Sequence, residues 1–200
     1  MKRSLLVLML LALIVTAGCG DDANDVAEVS DGAELPSMAK VEQPLAVDGS
    51  SEGYPATPLG VSGAEIYLAH DGNYLYLYLE AEVDGYVSIG FNSPGGGMNG
   101  ANMILGFLDQ ENPAYSDEIG HPRSHSEADV DAVEEFFLMQ ENGQMIMELS
   151  YPLVFPEGQG YNLNEILPGE EYELIVALHS SSEDISRQHT ARGSIDFSVE

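Results

Sequence analysis

The stretch YLYLYLEAEVDGYVSIGFNSPGGGMNGANMILGF, residues 74–107, decides the fold. It opens with tyrosine and leucine alternating at period two, turns at Asp84-Gly85, and resumes as the apolar run YVSIGFN. Alternation or a short apolar run, bounded by turn residues, predicts strands. A second break, SPGGGMNGAN, precedes the apolar MILGF. Three consecutive glycines, Gly95 to Gly97, lead directly into Met98 in that break. Glycine lets a backbone approach something closely, and methionine serves either as a soft ligand or as a filler of irregular gaps. What Met98 touches therefore separates a cofactor site from a packed loop.

Outward from this stretch, the same patterns predict strands near 41–48, 64–70, 73–83, 86–92, 102–109, 133–140, 144–150, 171–180 and 193–199. Asp71-Gly72-Asn73 and Glu141-Asn142-Gly143 are hairpin signals, since Gly and Asn tolerate the positive φ that tight turns demand. Residues 151–170 carry three prolines and read as a crossing between sheets, and 110–132 reads as an irregular polar loop. Short strands at regular spacing with little helical pattern predict an all-β fold, an immunoglobulin-like antiparallel β-sandwich of about 9–11 strands.

The ends and the composition set the context. Met1-Lys2-Arg3 supplies positive charge, Leu5 to Val15 is apolar but short for a bilayer span, and Thr16-Ala17-Gly18 precedes Cys19. Residues 1–18 resemble a bacterial lipoprotein signal peptide, with Cys19 as the lipidated first residue of the mature chain. The expected location is the cell envelope, extracytoplasmic and lipid-anchored, and Gly20 leans towards an outer membrane. Cys19 is the only cysteine, so anchoring leaves no thiol for disulfides or catalysis. Residues 19–39 are acidic and aperiodic and read as a disordered tether, with the folded domain at 40–200. Beyond the signal, four basic residues (Lys40, Arg123, Arg187, Arg192) stand against 34 acids, a net charge of −30. That field repels nucleic acid.

Several segments then match a known family. HDGNYLYLYLEAEVDGYVSIGFN, GMNGANMILGFLD, the Pro-Leu of SYPL, ELIVALHSSSEDISRQH and HTARGS resemble, in that order, the DOMON domain. That family comprises extracellular β-sandwiches found beside copper monooxygenases, in cytochrome b561 fusions and as the cytochrome part of cellobiose dehydrogenases. The resemblance spans roughly 60–200, and AVDG at 46–49 is similar to the opening strand of related sugar-binding sandwiches. It implies that haem b, if held, sits between Met98 and His189, on loops at one end of the sandwich. Tyr86, Asn102 and Tyr151 stand where the family usually or often has tryptophan, aspartate and arginine.

The residues themselves leave alternatives open. Met98 and His189 form a sensible axial pair for haem iron, yet a methionine also fills gaps and a histidine also caps turns. With no Cys-x-x-Cys-His, any haem is non-covalent. His179 closes a predicted strand and is the fallback haem ligand. His121 and His125, in His-Pro-Arg-Ser-His among acids, are candidate zinc or copper donors, with His125 favoured. His70 reads as turn chemistry. Tyr74, Tyr76 and Tyr78 share one strand face: exposed, they would form a sugar platform; buried, they are sheet packing. No Gly-x-Ser-x-Gly, Gly-x-x-x-x-Gly-Lys or His-Glu-x-x-His is present, so no enzyme is expected. The expectation is a ligand-binding or electron-transfer module working with a redox protein. The rival is a haem-free carbohydrate-binding or protein-interaction module.

Overall fold

A computed structural model describes residues 35–200 and a two-residue strand at Asp25–Val26. The expected signal peptide, Cys19 and most of the expected tether lie outside the described residues. The thirteen strands are β1 (Asp25–Val26), β2 (Ser37–Lys40), β3 (Leu59–Val61), β4 (Ala64–His70), β5 (Tyr74–Ala81), β6 (Val87–Asn92), β7 (Asn102–Asp109), β8 (Asn112–His121), β9 (Ser124–Glu127), β10 (Glu135–Glu141), β11 (Gln144–Pro152), β12 (Glu171–Leu178) and β13 (Ala191–Val199). One layer runs β10-β11-β5-β4, with β3 on β4, and the other runs β13-β12-β6-β7-β8-β9. Strand β2 joins them, pairing in parallel with β13 on one side and β4 on the other. Apart from the pairings of β1 and β2, every ladder is antiparallel.

The period-two pattern explains the core. Leu75, Leu77 and Leu79 of β5 point between the layers with Ile66, Met147 and Leu149, against Ile89, Phe91, Ile104, Leu174, Val176 and Phe197. Each such side chain, removed from water, contributes about 1.5–3 kcal/mol before chain entropy is set against it. The predicted hairpins close as expected. Asn142 and Gly143 take φ of 54° and 81°, and Asp71 Oδ1 accepts from the amides of Asn73 (2.8 Å) and Tyr74 (2.9 Å). His70 contributes nothing to that turn. It is buried with neither ring nitrogen hydrogen-bonded, and burial lowers its pKa.

Three expectations change. Residues 41–48 form no strand: Pro44 removes a ladder donor, while Val41 and Leu45 pack onto the outer tyrosine face of the first layer. The stretch 19–39, expected as a disordered tether, contributes to the sheet, because Asp25–Val26 pairs with β13, Ser37–Lys40 is strand β2 and Met38 is fully buried. The polar segment 110–132 contains β8 and β9, which extend the second layer.

The segment 41–54 also settles the tyrosine row. Tyr76 and Tyr78 are buried beneath it, and Tyr54 joins Tyr67 and Tyr78 in a triangle with ring centroids 5.8–6.3 Å apart. The segment is pinned by Glu148, which is buried and accepts from Asp48 N (2.8 Å), Gly49 N (2.6 Å) and Tyr54 Oη (3.0 Å). This face is packing, not an open platform.

Candidate functional site

The outer face of the second layer is built differently. Strand alternation turns Ser88 of β6, Met103 and Leu105 of β7, Glu173, Ile175 and Ala177 of β12, and Arg192 and Ser194 of β13 away from the core. Loops fold over this face, and a cavity of about 310 Å³ remains between sheet and loops. Met98, His125 and His189 line it together with Tyr86, Ser88 and Glu173. Residues some ninety positions apart in the chain thus meet at one site, on a sheet face and not at the end of the sandwich.

The glycine loop brings Met98 in. Gly95 and Gly97 take φ of +71° and +55°, conformations that L side chains rarely adopt. The loop then rejoins the sheet, with Ala101 N donating to Met98 O (3.1 Å), Gly100 N to Gly120 O (2.8 Å) and Gly120 N to Ala101 O (2.9 Å). Met98 packs on the cluster of Ala101, Met103 and Leu105, against which Ile175 also packs, an apolar floor. The loop 179–190 brings His189 in from the other side. Tyr86 Oη donates to Arg187 O (2.7 Å), and Tyr86 O accepts from His179 N (2.9 Å). Asp84 N donates to Ser180 O (3.0 Å), and a side chain on Gly85 would fall 2.6 Å from Ser182 N, so the turn at 84–85 seats this loop.

Burial, and then Arg192, hold the His189 pKa below its usual value, so the imidazole is neutral and free to donate a lone pair at pH 7. Ser88 is buried and its Oγ has no hydrogen-bond partner on the cavity floor. Such orphaned polar atoms are rare in folded proteins unless something else meets them. His125 is held by the buried carboxylate of Glu118 through Nδ1.

The other predicted residues go elsewhere. His179 does not line the cavity: its Nδ1 accepts from Ser181 N (3.2 Å) and Ser182 N (2.9 Å), which makes it a turn cap, not a fallback ligand. His121 and His125 do not share a site. The β8–β9 register pairs His121 with Ser124 and Gly120 with His125, so alternation sends the two imidazoles to opposite faces. His121 is exposed and meets Ser126 Oγ (3.0 Å) instead. Among the described residues, no three His, Cys, Asp or Glu side chains converge as a metal-binding group. Sequence reasoning missed Ser88 and Glu173, although each is a polar residue inside an apolar strand.

Haem b can be tested against this donor set. A thioether and a neutral imidazole face one apolar-floored cavity within the usual size range for ligand sites. Arg192 is the only arginine or lysine among the described residues that line it, and it supplies a cation for acidic substituents. In donor chemistry and charge, the residues present suit the group.

Fold and site together define an all-β sandwich with a ligand-sized cavity on the outer face of one sheet. The chain belongs to the DOMON domain family, whose model matches residues 64–179. Among solved structures, it is similar to a family 9 carbohydrate-binding module from Caldicellulosiruptor kristjanssonii in complex with cellotriose, at 11% identity and a TM-score of 0.51. That match covers 84% of this chain and 94% of the other. It is equally similar to the cytochrome domain of Myriococcum thermophilum cellobiose dehydrogenase, at 12% identity and a TM-score of 0.51, covering 68% of this chain and 75% of that one. No curated protein matches the chain. Among the described residues, no helix is long and apolar enough to cross a membrane.

Proposed function

We propose that this protein is an extracytoplasmic ligand-binding module, lipid-anchored through Cys19, that holds haem b between Met98 and His189 for electron transfer to a redox partner. The observation that carries this reading is that Met98 and His189 line one cavity, above an apolar floor with an unpartnered Ser88 Oγ. Haem held by a thioether and an imidazole supplies reversible one-electron chemistry, at a higher potential than two imidazoles give. The chain's own part is to hold and bury the group. His189 donates from a ring kept neutral by burial, Met98 donates from a loop pinned to the sheet, and Met103, Leu105 and Ile175 exclude water beneath. Arg192 and His125 take polar substituents.

In the rival reading, a haem-free carbohydrate-binding or protein-interaction module, a sugar would use this same cavity and not the tyrosine row, because Tyr76 and Tyr78 are covered. Titration of the purified full chain with ferric haem separates the two. The expected result is one haem per chain with a Soret band that shifts in both Met98→Ala and His189→Ala. A chain that stays colourless but gives saturable cello-oligosaccharide binding would establish the rival.

A further inference from the structure

Asn92 and Glu173 face each other across β6 and β12 as direct register partners, on the cavity side of the sheet. Both reach the same short piece of backbone. Asn92 Nδ2 donates to Gly97 O (2.8 Å) and to Asn99 O (2.9 Å), while Glu173 Oε2 accepts from Gly97 N (2.8 Å). Both hydrogen-bonding groups of Gly97, and the carbonyl just beyond Met98, are therefore held by two side chains of the sheet. Gly96 is fitted to this arrangement, since a side chain there would fall 2.7 Å from Asn92 Nδ2. Asn92 is itself fixed, because its Oδ1 accepts from Ser93 N (2.8 Å).

Glu173 is an odd residue for this place. It is 9% exposed, lies on a mostly apolar strand, and sits in a protein whose charge is already −28. A carboxylate in such surroundings is costly to bury unless its acceptor is used. Here it meets a backbone donor that the glycine loop would otherwise leave unpaired beneath the chain, one residue before the thioether.

We propose that Asn92 and Glu173 act as a positioning clamp, fixing the glycine loop so that the Met98 sulfur is presented to the cavity at one distance and angle. The clamp rests on the haem reading for its purpose, but not for its existence. Neither residue donates to the bound group; each acts through Met98.

The test uses the full chain and compares wild type with Glu173→Ala, Glu173→Gln, Asn92→Ala and Met98→Ala. Glutamine keeps an oxygen that accepts from Gly97 N–H, so Glu173→Gln retains the wild-type spectrum of the haem-loaded protein. Glu173→Ala and Asn92→Ala shift the spectrum and lower the midpoint potential towards those of Met98→Ala. In haem-free protein, amide hydrogen exchange across 95–100 accelerates about tenfold or more in the two alanine variants and not in Glu173→Gln, and Met98 oxidation by dilute peroxide accelerates with it. If Glu173→Ala fails to fold, Asn92→Ala carries the same comparison. Wild-type exchange and wild-type spectra in both alanine variants would overturn the clamp. A wild-type chain that takes no haem defeats the haem reading instead, and the exchange and oxidation rates then decide the clamp alone.

Discussion

Gly120 of β8 packs its bare Cα against the carbonyl of Met98, so closely that any side chain there would overlap the Met98 oxygen. The contact is backbone on backbone, and neither partner has a flexible group that could swing aside. Gly120→Ala must push the methionine loop off the hairpin and stretch the Gly100 and Ala101 hydrogen bonds. Overpacking of this kind costs about 1–3 kcal/mol. Thermal melting should show that loss, and haem titration should show affinity at least tenfold weaker. Unchanged binding would mean that the loop position does not govern the site.

Glu148 makes a second, independent prediction. Its carboxylate satisfies two backbone amides and the Tyr54 hydroxyl at a fully buried position. Burial, followed by opposing hydrogen bonds, leaves its pKa raised. Removing it strands three donors, and at roughly 1 kcal/mol or more each, Glu148→Ala costs about 3–4 kcal/mol. Because segment 41–54 then loses its anchor, protease cleavage within it should accelerate. Urea melts and limited proteolysis check both, and a loss below about 0.5 kcal/mol would contradict the account.

Asp117 gives the pH dependence a sign. Desolvation by burial raises its pKa from 3.8 to about 7, outweighing the Ala132 amide that donates to Oδ2 at 2.7 Å. Its Oδ1 and the Tyr151 hydroxyl are both buried without partners. The folded-state value lies above the unfolded one, so the folded protein keeps a proton that the unfolded chain releases between about pH 4 and pH 7. Stability from this group is complete below pH 4 and is lost as pH rises to 7. Asp117→Asn keeps an oxygen for Ala132, and should stabilise the protein at pH 8 by on the order of 3 kcal/mol with little effect at pH 4. Denaturant melts at the two pH values decide it; equal effects at both would refute the burial argument.

The net charge of −28 predicts a salt response. Like charges repel across the compact surface, and raising the salt from 0.01 M to 1 M shortens the screening length from about 30 Å to about 3 Å. The melting temperature should rise by several degrees in sodium chloride. A flat or falling curve would show that local pairing offsets the repulsion.

Alternation in β5 and short apolar runs in β4 and β6, with glycine or asparagine at their turns, made most of the sandwich legible in the sequence. Strands β8 and β9 were not, because NPAYSDEIGH and SHSE show much of their length to solvent and lack apolar alternation. VEQPLAVD misled in the opposite direction: its apolar residues cover a tyrosine face without entering a ladder. Met98 stood out because it follows three glycines, and the resemblance paired it with His189. Their neighbours were illegible because the cavity is assembled by cross-strand register among β6, β12 and β13, which spacing along a chain does not encode. His121 and His125 failed for a related reason. Four residues apart means one face on a helix, but across a two-residue hairpin turn it means opposite faces.

The central claim is that Met98 and His189 are the two ends of one ligation site, and Met98→His tests it most directly. The midpoint potential of the haem-loaded full chain should fall in this variant while one haem per chain is retained, because an imidazole replaces the thioether. His189→Ala should lose tight haem binding altogether. A potential and spectrum unmoved by Met98→His and His189→Ala alike, or a wild-type chain that takes up no haem, would contradict the account.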